Sequence, residues 1–136
     1  MIAAWNIYHS QHHHPGNMLR AALHFLSCVV SYDLWFYLVH RLLHTPQFYA
    51  RYHSQHHQHK HPTFRETFVA STVENCLSGL GILAPFAFIP LPIPVFAAAY
   101  LYCFVRGVLR HDRRASWLVG DHHLVHHMQP NKNFSS

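Results

Sequence analysis

Eight of the seventeen histidines fall into three groups: His40-x-x-x-His44, His53-x-x-His56-His57 and His123-x-x-His126-His127. Residues three and four apart share one face of a helix, so each group can aim its imidazoles at a single point. Neutral imidazole is a common ligand for zinc, iron, copper and nickel, and repeated His spacing of this kind is metal-ligand spacing. One such group arises easily by chance in a His-rich chain. Three between residues 40 and 127 imply a shared ligand, and the chain reads as a polyhistidine metal site.

The elements that must position these groups read as membrane helices. Charged residues make up 11% of the chain and apolar ones 50%, a balance suited to lipid rather than to a soluble domain. Mean hydropathy is near zero only because the histidines offset long apolar runs. The run from Leu77 to Val105 carries no charged side chain. Pro90, Pro92 and Pro94 interrupt it, which predicts two apolar arms with a turn near Pro90 to Pro94, as a re-entrant hairpin or as two tilted crossings with both ends on one side. The stretch from Ala21 to Val39 can also span, with its one acid, Asp33, facing protein. The fold expected is all-α: membrane helices, an apolar helical hairpin and a cytosolic helical cap carrying the metal site. Residues 1–20 read as a peripheral segment and residues 21–136 as a single membrane-embedded domain.

The net charge of +5 does not draw a nucleic-acid footprint. Arg41, Arg51, Lys60 and Arg65 flank the first two histidine groups, and Arg106, Arg110, Arg113 and Arg114 come after the second apolar arm. Under the positive-inside rule both sets, and the histidines with them, lie on the cytosolic side, where the arginines form a solvated or headgroup-facing rim. That means the endoplasmic reticulum membrane in a eukaryote and the inner membrane in a bacterium. Cys28, Cys76 and Cys103 are odd in number and sit in apolar surroundings, as buried thiols do in a reducing compartment. No apolar stretch near Met1 suits a signal peptide. The hexapeptide Tyr8 to His13 recurs identically as Tyr52 to His57, but His14-Pro15-Gly16 interrupts the first copy, which reads as peripheral.

Several side chains keep two readings. Asp33, two helical turns before His40, accepts the outer N–H of that histidine, or else caps the helix or pairs with Arg41. Trp35, Phe36, Tyr100, Tyr102 and Phe104 line a lipid tunnel or, as aromatic stripes beside membranes more commonly do, face lipid or core. His59, His61 and His122 read as outer-shell or exposed histidines, and His24 as a buried, hydrogen-bonded one.

The stretch Tyr32 to His44, the Tyr-His-Ser-Gln-His-His hexapeptide at 52–57, the run Gly120-Asp121-His122-His123-Leu124-Val125-His126-His127-Met128, and Asn133-Phe134 together resemble the fatty acid hydroxylase and sterol desaturase superfamily. Within it the spacing is most similar to the 4-methylsterol oxidases. The resemblance implies a membrane-bound, non-haem di-iron oxygenase that hydroxylates, oxidises or desaturates a sterol or fatty acyl lipid with molecular oxygen. It implies metal ligation by His40, His44, His53, His56, His57, His123, His126 and His127, with His111 as a further ligand, and no catalytic side chain beyond the ligands. Glu74 matches an acid that the family places after the second group, although the histidine-proline usual just before it reads Thr72-Val73 here. Relatives are longer, so the chain is a minimal member or a truncated one. The cofactors implied are two iron ions, with zinc able to replace them in preparations, and an external donor resembling cytochrome b5 or ferredoxin supplies electrons.

The residue types agree with that class. Soluble di-iron bundles ligate through Glu, but the acids here are only Asp33, Glu66, Glu74, Asp112 and Asp121, so an imidazole-rich shell is the two-iron solution open to the chain. A single zinc would leave most of the imidazoles idle. The competing class is a non-catalytic metal-binding membrane protein, either zinc-handling or a decayed oxygenase.

Overall fold

The computed structural model describes residues 15–132 and 134 of the chain. Helix α1 runs from Pro15 to Leu43, α2 from Thr72 to Leu80, α3 from Ile93 to Arg110, α4 from Ser116 to Val119 and α5 from His122 to Met128. Short 3-10 and π turns join them, and no strand occurs among the described residues. The first hexapeptide copy, with His12 and His13, lies outside the described residues.

Helix α1 is longer than the apolar stretch that announced it. Residues 17–43 contain neither glycine nor proline, a proline suits the first turn, and Pro46 comes shortly after its end. Its rise of about 1.5 Å per residue gives roughly 43 Å, some 13 Å more than a hydrocarbon core of about 30 Å. Leu19, Leu23, Leu26, Val30, Leu34, Leu38 and Leu42 form an exposed apolar stripe at helical spacing. The opposite face carries Cys28, Tyr32, Trp35, Val39 and Leu43 against the rest of the protein. An exposed stripe this long belongs in lipid, and α1 and α3 are each long and apolar enough to cross a membrane. The protein is a membrane protein.

The apolar run does form a hairpin. Its first arm is α2 continued by a 3-10 segment, Gly81–Ala87, which contains Pro85. The larger rise of the 3-10 turn, about 2.0 Å per residue, brings this arm to about 27 Å, close to the length of α3. The turn occupies residues 88–92, slightly earlier than the prolines suggested, because Pro94 sits in the first turn of α3 where its missing N–H costs nothing. Cys28, Ile82, Leu91, Ala99 and Cys103 form the core between α1 and the hairpin. Cys76, expected with the buried thiols, is exposed.

Two contacts lock α1 to the hairpin. The indole N–H of Trp35 donates to the Leu77 carbonyl at 2.7 Å, and its ring covers Gly81 so closely that a Cβ there would lie 2.5 Å from the Trp35 Cβ. Trp35 therefore packs helix against hairpin and lines no tunnel. Arg106 on α3 binds both carboxylate oxygens of Asp33 on α1. Asp33 faces protein as expected, but its partner is this distant arginine, whereas Arg41 donates to the Tyr37 hydroxyl.

Candidate metal centre

The end of α1 carries His40 and His44 beyond the apolar stripe, and the chain then folds into a tight, irregular cap. Residues Tyr49–His53 form a π turn and His56–Gln58 a 3-10 turn. Such departures from α geometry cluster at functional sites because they re-aim side chains that a regular helix would misplace. Ser71 caps α2 by accepting from the Glu74 N–H, which seats Glu74 in the first turn below His53. Gly120, at φ +79, takes the left-handed conformation before α5 delivers the third histidine group.

All nine histidines expected to ligate come together, and they divide into two nests. His40, His44, His53, His57 and His126 form one, and His56, His111, His123 and His127 the other. Within each nest the offered nitrogens lie within 4.8 Å of one another. The nests adjoin: the rings of His57 and His127 are 4.7 Å apart between centroids, and those of His53 and His56 5.4 Å. His56 and His57, neighbours in sequence, serve different nests. His111, single in the sequence, stands 2.9 Å from His123 and 3.2 Å from His56, nitrogen to nitrogen.

The outer hydrogen bonds fix which nitrogens face inward. Nδ1–H of His40 donates to the Phe134 carbonyl at 3.1 Å, that of His111 to Gly107 at 2.9 Å, that of His126 to Lys132 at 2.6 Å and that of His127 to His59 at 3.1 Å. His53 donates from Nδ1 to Glu74 at 2.8 Å. A carbonyl or carboxylate oxygen only accepts, so each of these rings holds its proton on Nδ1 and presents a bare Nε2 lone pair. Nε2 of His40, His126 and His127 is buried without any hydrogen-bond partner. In the first nest the Nε2 atoms of His44, His53 and His57 also converge, at 2.9 to 3.2 Å. Buried acceptors turned toward one another are unfavourable alone, and a cation at their focus satisfies all of them at once. The residues present therefore fit a metal ion in each nest.

The electrostatics agree. Burial first, and neighbouring imidazoles second, push His44 down to about 3 and both His57 and His127 to about 2. Burial is also the main cause that lowers His126 and His111 to about 4, the Arg110 charge adding to it at His111. His56 and His123 are held well below their ordinary value for the same first reason. Neutral imidazole is the form that ligates. Burial pushes the Glu74 carboxyl upward, against the hydrogen bond from His53.

An apolar cavity of about 240 Å³ reaches this centre. Phe68, Ile82, Tyr100, Cys103 and Phe104 form its hydrocarbon wall, while His40 and His53 of one nest and His56, His111 and His123 of the other line it too. Tyr100, Phe104 and Phe68 form a stacked row that is also exposed on the outer surface. Of the aromatic candidates, Phe36, Tyr100 and Phe104 line the cavity, whereas Tyr102 packs on Phe25 and under Arg106.

Two outer assignments change, those of Asp33 and His24. Asp33 is engaged by Arg106, and the backbone at Phe134 orients His40 instead. Of the two readings given for His122, outer-shell or exposed, the structure has it exposed at the start of α5, with no hydrogen bond to a described residue. His24 is half-buried, and its Nδ1 has no hydrogen-bond partner. Sequence reasoning missed the carbonyls of Gly107, Lys132, His59 and Phe134, because any residue supplies a carbonyl.

Among known proteins, the family model described as fatty acid hydroxylase matches residues 25–136, which include all nine histidines. No solved structure matches the chain.

Proposed function

The chain belongs to the fatty acid hydroxylase family, and on that premise we propose that it is a non-haem di-iron membrane oxygenase that hydroxylates or desaturates a lipid. The observation that carries this reading is the apolar cavity shared by both histidine nests, with aromatic walls exposed toward lipid. A lipid entering sideways from the bilayer meets both nests at the cavity's inner end. At about 240 Å³ the cavity is below the usual size of a site for a whole drug-sized ligand, and it suits the reacting portion of a lipid.

The donor set favours iron. Tetrahedral zinc sites use at most four protein ligands, whereas the first nest offers five imidazoles. His40, His44, His53, His57 and His126 would hold one iron, and His56, His111, His123 and His127 the other. Bound iron would supply reductive activation of oxygen and oxidation of an unactivated C–H bond. For hydroxylation, lipid C–H, oxygen, two electrons and two protons yield lipid C–OH and water; the electrons come from a one-electron donor resembling cytochrome b5 or ferredoxin.

The protein's own residues do the rest. Glu74 and the backbone carbonyls hold protons on the outer nitrogens and keep the inner lone pairs aimed. The cavity's hydrocarbon wall excludes water and positions the chain. Arginines at the ends of both spans orient the cap toward the cytosol.

The test is protein produced with iron and reconstituted in lipid, assayed for metal content, oxygen uptake and product, with Mössbauer spectra before and after oxygen exposure. Two coupled irons and one oxygen-dependent product are expected. Isolated mononuclear iron and no product from any lipid pool would overturn the assignment, and redox-silent zinc would favour a metal-handling role.

A further inference from the structure

Arg110, the last residue of α3, lines the same cavity and is 9% exposed. A buried guanidinium ordinarily has an acid or several carbonyls around it, because an uncompensated buried charge is strongly unfavourable. None of its nitrogens hydrogen-bonds to a described residue, and no ion pair joins it to one. Each acid in its neighbourhood makes its bonds to another side chain. Asp33 is bound at both oxygens by Arg106, one helical turn before Arg110. Asp112, two residues after Arg110, accepts from the backbone N–H, Nε and a terminal nitrogen of Arg114. Glu74, which lines the same cavity, accepts from His53 through Oε1, and its buried Oε2 has no hydrogen-bond partner, yet no ion pair joins it to Arg110. The remaining ionisable groups around Arg110 are Arg106 itself, the phenols of Tyr32 and Tyr102, the Cys103 thiol and the His111 imidazole, none of them an anion at neutral pH. A cation without a bonded anion is thus left in a cavity walled by hydrocarbon and by neutral imidazoles, next in sequence to a histidine of the four-histidine nest.

We propose that Arg110 is the specificity-determining residue for the lipid, binding an anionic carboxylate head inside the cavity. A planar guanidinium presents paired N–H donors that match the two oxygens of a carboxylate, and in a water-poor cavity such a charge-assisted pair is stronger than a hydrogen bond to a neutral group. Alcohols and esters offer oxygen acceptors but leave the charge uncompensated. A free fatty carboxylate is therefore preferred over the alcohol or ester of the same chain length. The position of attack is set by the same contact. A head held beside His111 brings the first few carbons of the chain, rather than its far end, to the histidine nests.

Head recognition needs no metal, whereas the position of attack rests on the oxygenase reading, and the experiment separates the two. Binding of radiolabelled dodecanoate to the full chain in nanodiscs is measured with unlabelled dodecanoate, dodecanol and methyl dodecanoate as competitors. The expected result is that dodecanoate competes about tenfold or more better than either neutral analogue, the size of a charged hydrogen bond over a neutral one. Arg110→Gln should bring the three competitors to within about twofold of one another, Arg110→Lys should retain part of the preference, and Arg113→Gln, which changes an exposed arginine, should leave it intact. Metal content of each variant reports whether the nests survive. Equal competition by acid, alcohol and ester in the unaltered protein would overturn the proposal without recourse to any variant, as would an undiminished preference in a metal-replete Arg110→Gln protein. A carboxylate preference without any oxidised product leaves head recognition standing and counts against the oxygenase reading alone. Product oxidised only at the chain's far end would refute the head-first placement.

Discussion

Acid should dismantle the metal-free protein over a window that the histidines set. His57, His111, His126 and His127 have folded-state values of about 2 to 4, far below the ordinary 6.5 that they regain on unfolding. A group depressed in this way supports the fold fully above 6.5 and loses that support as pH falls toward its folded value, because the unfolded chain takes up the protons first. At pH 5.5 each histidine kept neutral costs about 1.4 kcal/mol. Four together come to about 6 kcal/mol, within the whole stability of an ordinary domain, even with half-buried His44 omitted because solvent screens it. Chelator-stripped protein in detergent should thus lose its near-UV dichroism and its blue-shifted tryptophan emission between pH 6.5 and about 5. Metal-loaded protein should keep both to lower pH, since an occupied lone pair takes no proton until the metal leaves. Stripped protein with an unchanged spectrum and thermal transition from pH 7.5 to 5 would refute the reasoning, because the histidines would then not be held neutral by the fold.

The division into nests predicts stoichiometry. His111→Ala should lower bound metal toward one ion per chain, while the double change His56→Ala with His57→Ala removes a ligand from each nest and should deplete both, as elemental analysis will report. Glu74→Ala frees the Nδ1 proton of His53 and should weaken metal binding in the five-histidine nest about 10- to 100-fold, with Glu74→Gln milder because its amide oxygen still accepts; competition with a metal-binding dye measures both. Gly81→Ala pushes a methyl group into Trp35 and should destabilise the protein by about 1 to 3 kcal/mol, seen as a lower melting temperature, without altering the metal content of the surviving folded fraction.

The residues of the centre were legible because metal ligation needs particular side chains at particular spacings, and spacing survives in a sequence. Their partition was not. His56 and His57 look like one unit on paper, but a 3-10 turn after a π turn sends adjacent rings in different directions, and no periodicity rule anticipates that. The resemblance supplied His111, where spacing alone had nothing to pair it with. Asp33 shows the opposite failure. Two helical turns placed it correctly on the face that bears His40, yet that face also meets α3, and a forked arginine 73 residues away provides a better partner than a histidine on the same helix. Local periodicity fixes direction, while the element that packs there fixes the partner.

The same distinction governs Arg110. Read along the chain, it belongs to a run of four arginines after an apolar arm, and a membrane-facing rim is the natural role for all four. The fold separates them. Arg113 and Arg114 are exposed, Arg106 binds Asp33, and Arg110 alone among them is turned into a cavity without an acid bound to it. A charge turned into a cavity is costly unless it is paired, so its position there calls for an anionic partner. Charge in the sequence predicted the side of the membrane; only the packing of α3 against α1 distinguishes an arginine that anchors the protein from one that selects what enters it.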